Sequence, residues 1–133
     1  MALSRVVVDA SAVLTLLVEP GDRNDRVASR LAGLSWCAPA LLPFEVANVL
    51  RRQASTGILA AGQAELALDG FGMLPIELWP WDAVAARVWQ LRGSMTAYDA
   101  AYVALAELLA CPLVTGDARL ARAPGARCVV DVV

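Results

Sequence analysis

Four carboxylates are the residues of this chain best suited to chemistry. Asp9 follows the run RVVV, Glu45 stands in PFEVANVLRR, Asp99 in TAYDAAYVAL and Asp117 in PLVTGDARL, so each interrupts an apolar or helix-forming stretch. The chain has no histidine and no lysine. Histidine-based nucleophile pairs, imidazole zinc sites, Schiff bases and the phosphate-loop lysine are therefore excluded. Carboxylates remain, and their natural companion is a hard divalent cation such as Mg²⁺ or Mn²⁺.

Alternating strands and helices must position these acids. Residues 6–8 and 113–115 are short and apolar on both faces, which is typical of buried parallel strands. Further extended segments are predicted at 36–38, 75–79 and 127–130. A first helix is predicted to be capped by Ser11 and to run through Leu14, Leu17 and Val18. Further helices are predicted at 25–34, 41–55, 60–70, 81–91 and 96–110. The alternation predicts one domain over residues 1–133, a three-layer α/β/α fold with a short, mostly parallel central sheet.

The predicted elements bring the four acids to one edge of the sheet. Asp9 and Asp117 directly follow strands, and ligands of open α/β sheets bind outside the strands' carboxyl ends. Asp99 lies in the first turn of a helix capped by Thr96, and Glu45 lies near the start of its own helix. Carboxylates packed this closely repel one another, which raises some of their pKa values. A bound cation would relieve that repulsion.

Each acid also has a simpler structural explanation. Asp9 could be a helix cap, Asp99 a capping-box acid, Asp117 an ordinary turn residue, and Glu45 an ion-pair partner of Arg51 or Arg52. Taken singly, these explanations are at least as good as a functional one. The joint placement of all four acids favours a site.

Composition gives weaker indications. Hydrophobic residues make up 59% of the chain, above a usual share of roughly 45–50%, so part of the apolar surface is expected to face a partner. A net charge of −2 counts against a broad nucleic-acid-binding surface. All eleven basic residues are arginines, however, which suit phosphate contacts, and a bound cation would reverse the sign of an acidic pocket. Three cysteines without metal-ligand spacing predict reduced, buried thiols in a cytoplasmic protein, and no apolar run is long enough for a membrane span.

The segments VVVDASAVLTLL, PFEVANVLRR, AYDAAYVALAE and LVTGDARL resemble, in order and spacing, the motifs of PIN-domain ribonucleases. The resemblance covers nearly the whole chain and is closest to the VapC-type toxins of bacterial toxin–antitoxin pairs. It implies a Mg²⁺- or Mn²⁺-dependent endoribonuclease that acts on RNA, forms a homodimer and binds a cognate antitoxin, whose C-terminal tail would lie across the acidic groove.

The resemblance also implies roles for individual residues. Asp9 and Asp99 would be the principal metal ligands, with Glu45 and Asp117 completing the site directly or through water. Thr115 would orient Asp117 or a metal-bound water. Ser11 and Asn48 would support the site by hydrogen bonding, Asn48 by holding Glu45. The candidate RNA-phosphate contacts are Arg51, Arg52, Arg119 and Arg122.

Two other functions fit part of the sequence. A metal-dependent phosphatase or phosphoreceiver would use Asp9 as its nucleophile, but such sites generally need a lysine to hold the phosphoryl group. A catalytically silent binding module would explain the apolar excess but not the four acids. Metal-dependent RNA cleavage that is lost on Asp99→Asn would separate the nuclease from both.

Overall fold

One parallel sheet carries the structure, a computed structural model that describes residues 4–133. Its five strands are β1 (Arg5–Val8), β2 (Ser35–Pro39), β3 (Ile76–Trp79), β4 (Leu113–Thr115) and β5 (Val130–Val132). They lie in the order β3-β2-β1-β4-β5, and each neighbouring pair is parallel. The predicted parallel sheet is confirmed, and it is parallel throughout the described residues. Residues 1–3, part of the predicted domain, lie outside them.

Seven helices connect the strands and form the two outer layers around the sheet. They are α1 (Ala10–Val18), α2 (Asp22–Leu31), α3 (Leu42–Ser55), α4 (Ala61–Gly72), α5 (Trp81–Gln90), α6 (Ala97–Leu109) and α7 (Ala118–Ala121). Helix α1 packs against α2, α3 and α4, whereas α5 packs against α6. This grouping follows from the strand order, because right-handed crossovers from β1 to β2 to β3 put α1–α4 on one face, and the return to β4 puts α5 and α6 on the other. The three-layer α/β/α fold is confirmed.

The core explains why the two central strands read as apolar on both faces. Val6, Val7 and Val8 of β1 are fully buried, as are Leu113 and Val114 of β4, because helices cover both sides of a parallel sheet. Helix α6 packs across β1, β2 and β4. Its whole middle segment, residues 100–106, is buried, so the helix that carries Asp99 is held firmly against the sheet.

Several predicted boundaries were wrong. Asp9, not Ser11, caps α1, because its carboxylate accepts a hydrogen bond from the backbone N–H of Ala12. Helix α2 covers Asp22–Leu31 rather than 25–34, since it begins directly after Gly21 and ends before Gly33, both of which have positive φ. The last strand is Val130–Val132 rather than 127–130.

The surface retains much apolar area. Large hydrophobic side chains are exposed on α3, α4, α5 and α6, among them Phe44, Leu66, Trp89 and Tyr98. The three cysteines are free thiols, of which Cys37 is buried and the other two half-buried. Within residues 4–133, no helix is both long enough and apolar enough to cross a bilayer.

Candidate functional site

Asp9 and Asp117 project from the same edge of the sheet. Asp9 directly follows β1, Asp117 follows β4 after one glycine, and these strands are hydrogen-bonded neighbours. Asp99 is the third residue of α6, and Glu45 lies in the first turn of α3. The four acids that the sequence singled out therefore come from two strand ends and two helix starts.

Asp9 is the best-anchored of the four. Its side chain accepts hydrogen bonds from Ser11 Oγ at 2.7 Å, from the Ala12 N–H at 3.0 Å and from Thr115 Oγ1. It is only 7% exposed. Burial raises the pKa of Asp9, the three hydrogen bonds lower it in part, and the charge of Asp117 raises it again. The carboxylate is thus held rigidly in a position where its negative charge is poorly solvated.

Ser11 and Thr115 connect β1 to the turn after β4. Ser11 Oγ accepts from the Gly116 N–H at 2.8 Å, and Thr115 Oγ1 accepts from the Asp117 N–H at 2.9 Å. The predicted supporting role of Ser11 is consistent with these contacts. Thr115 was expected to orient the Asp117 carboxylate or a metal-bound water. It instead donates to the Asp9 carboxylate and holds the backbone of Asp117.

Glu45 is tied to α6 by a residue that the sequence did not single out. Tyr102 donates its hydroxyl hydrogen to Glu45 Oε1 at 2.6 Å. Burial raises the pKa of Glu45, the Tyr102 hydrogen bond lowers it, and the charges of Asp9 and Asp99 raise it. The structure therefore gives Glu45 a tyrosine partner in place of Arg51 or Arg52. It also corrects the expected Asn48 contact, because Asn48 Oδ1 accepts from Arg51 Nε at 3.1 Å.

The carboxylates of Asp99 and Asp117 differ in their hydrogen-bond partners. The Asp99 backbone N–H donates to the Thr96 hydroxyl at 3.2 Å, as predicted for the helix start, but its carboxylate has no hydrogen-bond partner among residues 4–133. Asp117 accepts a two-pronged contact from Arg119, with Nε at 3.0 Å from Oδ1 and Nη2 at 2.7 Å from Oδ2. The hydrogen bond from Arg119 lowers the pKa of Asp117. Arg119 is thus occupied by an acid of the site.

The donor set fits a hard divalent cation. All four side chains are carboxylates, and the charge of one acid raises the pKa of another at both Asp9 and Glu45. Within the described part of the chain, however, no three acidic, cysteine or histidine side chains lie close enough to hold one ion together. Mg²⁺ is commonly bound by one or two carboxylates and keeps several waters. The residues therefore fit an ion held by a pair of carboxylates and reached by the others through water.

Arg23 is a second residue that the sequence did not reveal. A Cβ at Gly116 would lie 2.6 Å from Arg23 Nη2 and 3.2 Å from Ser11 Oγ. The guanidinium of Arg23, from the start of α2, therefore rests against the turn that precedes Asp117.

A separate cavity of about 470 Å³ lies away from the four acids. It is beside Pro112 and Cys128, at the amino ends of β4 and β5, and none of the four acids lines it.

Comparisons with known proteins agree with this fold. The PIN domain family model matches residues 6–126. VapC ribonuclease Mb0985 of Mycobacterium bovis is 38% identical over 128 residues, which cover 96% of this chain and 98% of that protein. Ribonuclease VapC1 of Mycobacterium tuberculosis is 39% identical over 132 residues, covering 98% and 99%.

Solved structures show the same architecture. PAE2754 from Pyrobaculum aerophilum superposes with a TM-score of 0.69 at 25% identity, covering 97% of this chain and 84% of that chain. A chain of VapBC2 from Rickettsia felis, bound to a DNA fragment from its promoter, superposes with a TM-score of 0.71 over 96% of this chain and 97% of that chain. At 13% identity the second likeness concerns the fold alone. The chain belongs to the PIN-domain family and, within it, to the VapC ribonucleases.

Proposed function

We propose that this protein is a divalent-metal-dependent endoribonuclease, the toxin of a toxin–antitoxin pair, that hydrolyses RNA phosphodiester bonds. The observation that carries the proposal is the position of Asp9 and Asp99 near Glu45, at the strand end and helix starts of one edge of the sheet, where the charges of both aspartates raise the pKa of Glu45. Two relatives that cover almost the whole chain are named as VapC ribonucleases. A phosphatase-like use of Asp9 as nucleophile is disfavoured, because such sites generally need a lysine to hold the phosphoryl group and the chain has none.

The residues would divide the work as follows. Asp9 and Asp99 would be the principal ligands of Mg²⁺, for which Mn²⁺ should substitute, and Glu45 and Asp117 would act directly or through water. A cation held there would lower the pKa of a water molecule and neutralise charge on the phosphate. Thr115 and Ser11 would keep the Asp9 carboxylate in one orientation, as supporting residues do in metal sites.

Tyr102 and the arginines would contribute next to the acids. Tyr102 would fix the Glu45 carboxylate through its hydroxyl. Arg51, which is exposed on α3, and Arg23 would be available to RNA phosphates, as arginine is suited to contacts with phosphate oxygens. Arg119 would reach a phosphate only after leaving Asp117. Arg52 and Arg122 remain further candidates for such contacts.

A direct test is cleavage of RNA by the purified free protein. We expect cleavage of single-stranded RNA in Mn²⁺ or Mg²⁺ and none in EDTA. Asp99→Asn should abolish it at the metal concentration that supports the wild type, whereas Asp69→Asn, the same change at an exposed position of α4, should leave it intact. Sequencing the new RNA ends would identify the cut site. A wild-type protein that leaves RNA whole in millimolar Mn²⁺ would refute the nuclease.

The four acids can be separated by their metal dependence. Asn in place of a ligand removes its charge, so Asp9→Asn and Asp99→Asn should need more Mn²⁺ and be partly rescued by it. Glu45→Gln should behave like them, since Tyr102 holds Glu45 in place. Asp117→Asn should instead lower turnover with a smaller change in Mn²⁺ dependence, because Arg119 already neutralises Asp117. Identical shifts in all four variants would refute this division.

The protein is further proposed to act in the cytoplasm as a single-domain homodimer that binds a cognate antitoxin. The exposed apolar side chains on α4 and α5 support a protein partner, because large exposed apolar patches commonly mark interfaces. Sedimentation at tens of micromolar should give a dimer, and expression without antitoxin should arrest growth. A monomer that is harmless when expressed alone would contradict both expectations.

A further inference from the structure

A groove of about 440 Å³ lies beside the carboxylate site, between α3 and the start of α6. It is lined by Leu41, Phe44, Glu45, Asn48 and Tyr98. Its two aromatic side chains are unusually open to solvent, with Phe44 79% and Tyr98 65% exposed. Rings of this size normally bury most of their surface. Their exposure on both sides of one groove calls for a ligand with a flat face.

The groove and the carboxylate site share a residue. Glu45 lines the groove and also feels the charges of Asp9 and Asp99. In sequence, each exposed ring directly precedes an acid, Phe44 before Glu45 and Tyr98 before Asp99. Whatever occupies the groove is therefore next to the site of the proposed cleavage.

Charge around the groove favours a nucleotide over a second protein. Arg51 donates to Asn48, which lines the groove, so a guanidinium contacts the groove lining and is suited to a phosphate. A sealed apolar protein interface would bury the half-exposed Glu45 carboxylate, which is costly unless that charge is paired. An unpaired nucleotide offers a flat base for the rings and a phosphate for the arginine, and it leaves the groove open to water.

We infer that Phe44 and Tyr98 form a base-stacking subsite that holds an unpaired RNA nucleotide beside the scissile phosphodiester, with Arg51 on its phosphate. The inference rests on the proposed ribonuclease function. It adds a subsite whose recognition is by stacking, which tolerates any base and excludes double-stranded RNA because paired bases present no free face.

The test combines protein variants with altered RNA. Phe44→Ala and Tyr98→Ala should each lower kcat/KM for a single-stranded RNA carrying the mapped cut site by roughly 5- to 100-fold, from the usual strength of base–aromatic stacking. Phe44→Leu, which keeps apolar bulk without a ring, should resemble the alanine variant, whereas Tyr98→Phe should resemble the wild type. Trp89→Ala removes a similarly exposed ring far along α5 and should leave cleavage unchanged.

Abasic RNA identifies the stacked nucleotide. Nucleotides flanking the cut are replaced one at a time by abasic residues, and one replacement should reduce wild-type cleavage as much as the double variant Phe44→Ala/Tyr98→Ala does. That replacement should reduce cleavage by the double variant little further, because both stacking partners are already gone. Additive losses at every position, or full activity of both alanine variants, would overturn the subsite.

Other outcomes distinguish the competing occupants. If Phe44→Ala and Tyr98→Ala convert a sedimenting dimer to monomer, a second copy covers the groove and the inference is wrong. If they cleave like the wild type while Asp99→Asn is inactive, the nuclease stands and only the subsite falls. If the wild type does not cleave RNA, the proposed ribonuclease function is wrong, and the subsite, which depends on that function, is wrong as well.

Discussion

Thr115→Val should be among the most destabilising conservative changes in this chain. The Thr115 side chain is fully buried, and valine has the same shape but no hydroxyl. Thr115 Oγ1 donates to the Asp9 carboxylate, accepts from the Asp117 N–H at 2.9 Å and lies 3.4 Å from Ser11 Oγ. The variant therefore deprives a buried carboxylate of a donor and a backbone N–H of its acceptor.

The magnitude follows from those two losses. A hydrogen bond to a charged group contributes about 1.5–3 kcal/mol, and an orphaned buried polar group costs about 1–3 kcal/mol. Because the Asp117 N–H is only partly buried, the loss of its acceptor contributes little to the total destabilisation. We expect the metal-free protein to lose about 2–4 kcal/mol of unfolding free energy at neutral pH. Thr115→Ser, which keeps the hydroxyl, should lose less.

The assay is urea denaturation in EDTA, with Thr15→Val as the matched control. Thr15 is also a buried threonine, but its hydroxyl donates to the Ser11 carbonyl one helical turn earlier, so no charged group loses a partner there. A double-mutant cycle of Thr115→Val and Asp9→Asn should show a coupling of about 1–3 kcal/mol in the unfolding free energy between positions 9 and 115. Equal losses in the two threonine variants, or no coupling, would refute the view that Thr115 stabilises the Asp9 carboxylate.

The acid dependence of the same variant has a definite sign. Burial already raises the pKa of folded Asp9, and the Thr115 hydrogen bond lowers it in part, so Thr115→Val should raise it further. A raised carboxyl pKa means that folding disfavours the ionised form, and this penalty is absent once Asp9 is protonated in both states. The stability difference between variant and wild type should therefore shrink as pH falls through the folded-state pKa of Asp9. A difference that widens in acid would contradict this.

Three further predictions concern the metal, Glu45 and an ion pair away from the site. Millimolar Mn²⁺ should raise the Tm of the wild type by mass action, and Asp99→Asn should remove most of that rise while leaving metal-free stability unchanged; a full rise in the variant would contradict ligation by Asp99. Tyr102→Phe should lower the unfolding free energy by about 1–3 kcal/mol and shift the Mn²⁺ dependence of cleavage in the same direction as Glu45→Gln does. An unchanged Mn²⁺ dependence would refute the view that Tyr102 positions Glu45 for cleavage. Burial opposes ionisation of Glu107, but hydrogen bonds, above all that from Arg87, outweigh burial and lower the pKa of Glu107. Glu107→Gln should therefore be less stable than the wild type at neutral pH, and this difference in unfolding free energy should shrink as pH falls through the folded-state pKa of Glu107. A difference that does not change with pH would exclude the ion pair as its cause.

Much of the architecture could be predicted because its signals are local. The β-branched run before Asp9 and the segment before Asp117 are apolar on both faces, a pattern typical of strands that helices cover on both sides. Thr96 with Asp99 three residues later marks a helix start, which the hydrogen bond from the Asp99 N–H to Thr96 confirms. Parallel strands share one carboxyl edge, so the sequence pattern alone places Asp9 and Asp117 together.

The boundaries that were wrong depend on backbone geometry and pairing. Gly21 and Gly33 both adopt positive φ, which ends α2 on either side, although the apolar pattern alone extended the helix to residue 34. The last strand lies at Val130–Val132 because Leu113 and Val114 pair with Val130 and Asp131. Such a register is set by the neighbouring strand and not by the strand's own residues.

Residue type and hydrophobic period were enough to choose the four acids and the edge of the fold that they reach, since both specify strands, helices and their ends. The partners of each acid, in contrast, depend on how the elements pack. Tyr102 of α6 meets Glu45 because the fold brings it to the start of α3, 57 residues away in the chain, and Thr115 meets Asp9 because β4 lies beside β1. Contacts between elements depend on strand order and helix rotation, and no local spacing encodes them.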